Sequence, residues 1–269
     1  MQKTILITGA TDGIGLETAK MLVSEGHRVL VHGRNTEKLK QIVTLLSTLS
    51  SVENVESYES DLSRLSDVEA LAAEIIVNHK HIDVLINNAG VYTTPIAESS
   101  EGLDVRFVVN TIAPYLLTRK LLPLMGSTSR VVNVSSAAQS SVDLTSLACK
   151  PTLGDGLAYA QSKLAITMWS RDLALSLDEN GPAIIAVNPA SMLGSKMVKD
   201  AYGVTGGDLR IGADILCRAA LSVEFEDASG KYYDNDARRF AAPHNDALDP
   251  RKTAALVCVI DKILMEKCQ

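Results

Sequence analysis

Seven short runs of apolar and β-branched residues recur along the chain, each separated from the next by an amphipathic stretch of helical period. The runs are KTILIT (3–8), HRVLVHG (27–33), VESYE (55–59), DVLINNAG (83–90), SRVVNVSS (129–136), AIIAVNP (183–189) and GKYYD (230–234). Several are apolar without alternation, the pattern of strands covered on both faces. Helical patterns fall near 13–25, 36–50, 65–80, 101–126, 156–179 and 207–222, with a last one near 250–267. Strand followed by helix, many times over, predicts right-handed βαβ units and an α/β fold with a doubly wound parallel sheet. No repeat, low-complexity tract or linker divides the chain, so residues 1–269 are expected to form one domain. Two irregular stretches, 137–155 and 190–207, each follow the C-terminal end of an expected strand, where ligands bind in open α/β sheets.

Composition narrows the function classes. A net charge of −6, with Lys and Arg scattered, argues against a nucleic-acid surface. No stretch reaches the ~18 to 20 apolar residues of a membrane helix. The first residues also lack the three regions of a signal peptide. A cytoplasmic protein without a membrane anchor is therefore expected. Cys149, Cys217, Cys258 and Cys268 are widely spaced, with no C-x-x-C pair, and read as reduced thiols. His79 and His81 stand two apart near a helix end; with no third ligand they read as solvated histidines, and no metal site is expected. His244 reads as a packed or surface residue.

The first βα turn carries chemistry. ILITGATDGIGLETAKML (5–22) places Gly9, Gly13 and Gly15 between strand and helix. Glycines there allow a tight turn and let the backbone approach a pyrophosphate, whose charge meets the helix N–H groups. The spacing is G-x-x-x-G-x-G rather than G-x-G-x-x-G, and a turn that merely connects strand to helix is the other reading. At the end of the second strand, Gly33 holds the place of the acid that would bind ribose hydroxyls, and Arg34 follows. Its guanidinium suits a 2′-phosphate, which favours NADP(H) over NAD(H). Asp12 weighs the other way, since its carboxylate would repel that phosphate, and Arg34 as a plain loop residue is the alternative.

GLAYAQSKLAITMWS (156–170) sets Tyr159 and Lys163 four residues apart, and so on one helical face about 6 Å apart along the axis. None of the other tyrosines has a lysine at that spacing. The pair is either a snorkelling surface pair or a proton-transfer device. A phenol has a pKa of ~10, and lowering it by ~3 units needs ~4 kcal/mol. A lysine cation ~5 Å away at an effective dielectric of ~20 supplies ~3 kcal/mol. One lysine is therefore nearly enough to make a tyrosine a base near neutral pH.

Taken together, these residues resemble the short-chain dehydrogenase/reductase family, and the resemblance runs over nearly the whole chain. TGATDGIG (8–15) resembles its glycine motif, DL (61–62) its adenine-side acid, NNAG (87–90) the segment supporting the central strand, VVNVSS (131–136) the strand bearing the active-site serine, and YAQSK (159–163) its Y-x-x-x-K signature. The resemblance implies a Rossmann-type sheet of about seven strands in the order 3-2-1-4-5-6-7. It implies catalytic roles for Asn110, Ser136, Tyr159 and Lys163, with Ser135 the less favoured serine. Cofactor contacts are implied at Gly9, Thr11, Asp12, Gly13, Ile14, Gly15, Arg34, Asn35, Asp61, Leu62, Asn88, Ala89, Gly90, Tyr159, Lys163, Pro189 and Met192. Ser136 and Tyr159 lie 23 residues apart, against about a dozen in most of the family. That insert, with SGKYYDNDARRFAAPHNDALD (229–249), is similar to the retinol dehydrogenase and protochlorophyllide reductase-like group. In NPASMLGS (188–195), Ala190 stands where the family often has glycine.

The implied activity is NADP-dependent interconversion of a carbonyl and an alcohol on a small molecule, with Tyr159 as general acid or base. Reduction of a carbon–carbon double bond and NADP binding without turnover are the alternatives. Met192, Leu193 and Met197 belong either to the core or to a substrate lid over 190–207. The helices expected at 101–126 and 156–179 resemble those that pair subunits in the family, so a homodimer or homotetramer is expected, although the same faces could serve as intrachain core.

Overall fold

The computed structural model describes residues 1–50, 54–177 and 179–268. Its first half alternates β1 (Thr4–Ile7), α1 (Gly13–Ser24), β2 (Arg28–Gly33), α2 (Thr36–Ser47), β3 (Val55–Glu59), α3 (Leu65–Asn78) and β4 (Val84–Asn87). A broken helix follows, α4 (Val105–Phe107), a π-turn over Val108–Ile112, and α5 (Ala113–Leu121), before β5 (Arg130–Val134). Then come α6 (Leu144–Leu147), α7 (Asp155–Ser176), β6 (Ala183–Asn188), α8 (Lys196–Tyr202), α9 (Leu209–Leu221), β7 (Tyr232–Asp234), β8 (Arg239–Ala241) and α10 (Pro250–Lys267).

The strands form one sheet in the order β3-β2-β1-β4-β5-β6-β7-β8. The first seven are parallel in the expected 3-2-1-4-5-6-7 order, as the doubly wound reading requires. The eighth corrects the expected count: RFA folds back antiparallel on β7, with Tyr233 opposite Phe240. Three residues are too few for a periodicity signal, and what holds them is the aromatic cluster of Phe225, Tyr233 and Phe240, with ring centroids 5.1–5.2 Å apart.

Alternate strand residues face opposite layers. Leu6, Leu30, Leu85, Val131 and Ile184 pack against α3, α5, α7 and α10, while Ile5, Ile7, Val31, Ile86, Val132 and Val187 pack against α1, α2 and α9. Covering both faces explains the unalternating apolar runs. The two edge strands, β3 and β8, are the least covered.

The helix expected over 101–126 is corrected to a shorter, interrupted one. Pro114 has no N–H to donate to the carbonyl of Asn110, and its ring crowds that carbonyl. The chain widens to a π-turn there, with the Ala113 N–H bonded to the Val108 carbonyl five residues back. The helix begins only at Val105, where the Asp104 carboxylate accepts from the Arg106 N–H. The N-terminus of α3 has no side-chain cap of its own; the Glu101 carboxylate, 36 residues on, accepts from the Leu65 N–H at 3.0 Å. His79 is buried rather than solvated, as it bonds the Tyr58 hydroxyl at 2.8 Å, whereas His81 is exposed beside Asp83. Among the described residues no helix is long and apolar enough to cross a membrane.

Candidate active site

The carboxyl ends of β1, β2, β4, β5 and β6 open into a cleft of about 660 Å³. Its first wall is the β1–α1 turn. Gly9 and Gly13 take φ of +65° and +58°, values that side chains other than glycine's adopt only with strain. A Cβ at Gly9 would stand 2.8 Å from the Ala89 Cα, and one at Gly15 would stand 2.4 Å from both the Asn88 amide nitrogen and the Gly9 carbonyl. The turn is therefore folded against the β4 end, where the Asn88 amide donates to the Thr8 and Gly9 carbonyls at 2.9 and 3.0 Å. The Thr8 hydroxyl accepts from the Asn88 and Ala89 N–H groups, both at 3.1 Å. Asp12 caps α1 through the Gly13 N–H at 2.7 Å, and Asn35 caps α2 through the Lys38 N–H at 2.9 Å. These two side chains are thus committed to helix ends while lining the cleft.

His32, which sequence reasoning missed, ties this wall together. Its Nδ1 accepts from the Gly9 N–H at 3.3 Å, so the ring is neutral with the proton on Nε2, which donates to the Ser60 carbonyl at 3.0 Å. Burial pushes its pKa down to about 4. Beyond it, Arg34 and Lys38 stand exposed on the cleft rim one turn apart, and Asp61 anchors Ser63 through one carboxylate oxygen. Thr11, Ile14, Leu62, Gly90, Pro189 and Met192 line the same cleft. The glycine turn, the helix N-terminus above it and the paired cations fit a dinucleotide phosphate group.

The other end gathers the four expected catalytic side chains. Lys163 is 3% exposed, donates from Nζ to the Val134 carbonyl at 2.7 Å, and sits 5.7 Å from the centre of the Tyr159 ring. Burial draws its pKa down to about 8. Burial pushes the Tyr159 phenol up, while the hydrogen bond from Ser136 pulls it down. The net direction is upward, because desolvation is the largest of these influences. Ser135 faces the other way, buried, with its hydroxyl against the Lys163 carbonyl at 3.1 Å and the Thr167 hydroxyl at 2.6 Å. Asn110, in the π-turn, clasps Val91 through both backbone groups, at 2.8 and 2.9 Å, and donates to the Ser162 hydroxyl at 2.9 Å. A Cβ at Gly90 would meet the Asn110 amide oxygen at 3.4 Å and Lys163 Nζ at 3.5 Å, so Asn110 and Lys163 converge on this glycine.

Two tyrosines far apart in sequence close the mouth. The Tyr92 ring lies 4.9 Å from that of Tyr159 and 5.6 Å from that of Tyr202, whose hydroxyl donates to the Tyr92 hydroxyl at 3.2 Å. Tyr202 ends α8, so the stretch 190–207, expected to be irregular, contains a short helix whose last residue packs on Tyr92. Nothing in the local pattern around Tyr92 or Tyr202 marks them; 110 residues separate the pair. The insert is anchored beneath by Arg106, which is 2% exposed, pairs with Asp104 and reaches Asp155 at the first turn of α7. Ala190, where a glycine was the family expectation, keeps a glycine-like φ of +113°, and Met192 takes +54°. Among the described residues no group of three or more His, Cys, Asp or Glu could hold a metal ion.

The family profile described as short chain dehydrogenase matches residues 3–203. Retinol dehydrogenase 12 of Homo sapiens is 31% identical over 254 residues, covering 90% of this chain and 80% of its own. An uncharacterized protein from Mycobacterium Paratuberculosis, known as a crystal structure, superposes with a TM-score of 0.79 at 27% identity, over 97% of this chain and 93% of its own. A short chain dehydrogenase from Shigella flexneri 2a str. 301, crystallised with NADP, superposes with a TM-score of 0.68 at 25% identity, over 87% and 97% of the two chains. The chain belongs to the short-chain dehydrogenase/reductase family, in its retinol dehydrogenase-like group, and is an NAD(P)-dependent oxidoreductase acting on CH–OH groups.

Proposed function

We propose that the protein is an NADP-dependent carbonyl reductase or alcohol dehydrogenase in which Tyr159 carries the proton. The observation behind this reading is the grouping at one end of the cleft of a phenol, a hydroxyl bonded to it and a buried ammonium, with two cations at the other end. Arg34 and Lys38 would hold the adenosine 2′-phosphate, the β1–α1 turn the pyrophosphate, and Lys163 the nicotinamide ribose. The NADP named in the description of the Shigella flexneri structure supports this choice. When bound, the nicotinamide supplies or accepts the hydride.

In reduction, Tyr159 Oη donates its proton to the substrate oxygen while the Ser136 hydroxyl stabilises the charge developing there. The phenolate left behind is stabilised by Lys163, whose desolvated cation acts across a low-dielectric gap. Reprotonation follows through Lys163 toward Asn110. The Asn110 carbonyl lacks its i+4 helical donor because residue 114 is proline, which leaves an acceptor for water beside Lys163. Tyr92, Tyr202 and Met197 make the mouth apolar with hydroxyls at its rim, so an apolar or mixed small carbonyl compound is the substrate class. We also read the protein as cytoplasmic, and as a homodimer or homotetramer.

The test is NADPH consumption over a panel of aldehydes, diketones, steroids and retinaldehyde, with NADH and Tyr159→Phe as controls. NADPH-preferring turnover that falls at least about 100-fold in Tyr159→Phe, with cofactor binding intact, is expected. Undiminished turnover in that variant would overturn the mechanism. The rate of reduction should fall as pH rises through about 8, where Lys163 loses its proton.

A further inference from the structure

The β6–α8 connection departs from ordinary backbone geometry at Ala190, whose φ of +113° suits glycine. Such a conformation persists only where its surroundings over-determine it. Besides the Ala190 N–H on Asn188 Oδ1 at 3.4 Å and the Gly207 N–H on the Met192 carbonyl at 2.8 Å, the restraints beside Ala190 come from one place, the turn between β7 and β8. The Asp236 carboxylate accepts from the Ser191 N–H at 2.8 Å on one oxygen, and on the other from the Ser191 hydroxyl at 2.6 Å and the Asn188 amide at 3.0 Å. Its neighbour Asn235 donates to the Pro189 carbonyl at 3.0 Å from its side chain and to the Asn188 carbonyl at 3.1 Å from its backbone. Asn188 in turn donates to Asp234 at 2.8 Å. Restraints thus fall on both sides of the strained residue, and residues 189–193 line the reacting end of the cleft.

We infer that Asp236 is a positioning residue, a clamp that holds the strained Ala190 peptide and so sets the path of the segment closing over the cofactor. The Ser191 bonds carry most of the effect, because hydrogen bonds to a charged acceptor are the stronger kind. Their hold keeps the Asp236 carboxyl below its ordinary range. Strain and clamp are coupled: with glycine at 190 the same path costs little, and the clamp matters less.

This coupling gives a double-variant test. NADPH affinity is measured by direct titration, and amide hydrogen exchange is followed across 190–207. Asp236→Asn should weaken NADPH binding about tenfold and speed exchange across 190–207, leaving β4 and β5 unchanged. Ser191→Ala should move both readouts the same way by less. Adding Ala190→Gly to Asp236→Asn should restore most of both, a rescue that a merely structural role for Asp236 would not produce. Unchanged affinity and exchange in Asp236→Asn overturns the inference, as does a double variant no better than Asp236→Asn alone. The affinity arm rests on the proposed cofactor, but the exchange arm does not. A parent protein that binds neither NADPH nor NADH therefore refutes the functional reading, while exchange still decides the clamp.

Discussion

Two turns follow the carboxyl ends of parallel strands separated by two others in the sheet and line the same cleft, yet they reach unusual backbone conformations by opposite means. The β1–α1 turn places glycine at both of its positive-φ positions, Gly9 and Gly13. The β6–α8 connection places Ala190 and Met192 there. The first turn needs no restraint to sit at +65° and +58°, because glycine visits that region freely. The second is held from a hairpin more than 40 residues away, through Asp236 at 2.8 Å from the Ser191 nitrogen. A turn built from glycine is rigid through its fit against its neighbours. A turn built from alanine and methionine is rigid only as long as its restraints are.

Perturbing the glycine turn should give the largest effect. Gly15→Ala forces a methyl group into the Asn88 amide and the Gly9 carbonyl, at 2.4 Å from each. A stability loss of about 3 kcal/mol, with loss of dinucleotide binding, is expected by thermal denaturation and titration. A tolerated alanine there would show that the turn is looser than its contacts imply.

Next comes acid stability. His32 has its folded pKa depressed to about 4 from 6.5, so the unfolded chain binds the proton more readily. Stability from this neutral ring is fully present above pH 6.5 and is lost as pH falls toward 4, by about 3 kcal/mol in all. Replacing it, as His32→Gln, should flatten the stability–pH curve in that window, and an unaltered curve would remove His32 from the account.

A smaller pair of effects sets the two turns directly against each other. Gly13→Ala meets no atom closer than 3.8 Å, and only its φ of +58° opposes it, so a loss of about 1 kcal/mol is expected. Ala190→Gly should do the reverse and stabilise by about 1 kcal/mol, raising Tm by about 2–4 °C. If it lowers Tm instead, Ala190 is not strained and the contrast fails. The smallest effect is expected from Tyr202→Phe, which removes the hydroxyl bond to Tyr92 and keeps the ring contact. The cost is about 0.5–1 kcal/mol at the Tyr92–Tyr202 contact, read as a modest rise in substrate KM at unchanged Tm.

Much of the first turn was legible because its instructions are local. Glycines at 9, 13 and 15 announce backbone needs within a single βα unit, and Tyr159 and Lys163 share one helix, so their spacing suffices. Asn110 and Ser136 came only with the family resemblance, and the structure brings both to the same end of the cleft. His32 escaped notice because a histidine inside an apolar strand looks like filler; its role depends on Gly9 and Ser60 meeting it from two other segments. Tyr92, Tyr202 and Asp236 escaped for the same reason at longer range.

By itself, then, the sequence determined the alternation of strand and helix units, the glycine turn after the first strand and the shared helical face of Tyr159 and Lys163, because period and spacing act within a few residues. Tertiary structure decided the eighth strand, the break at Asn110, the direction of the Tyr159 pKa and the clamp on Ala190. Each of these turns on burial or on a hydrogen bond between segments that only the folded chain brings together.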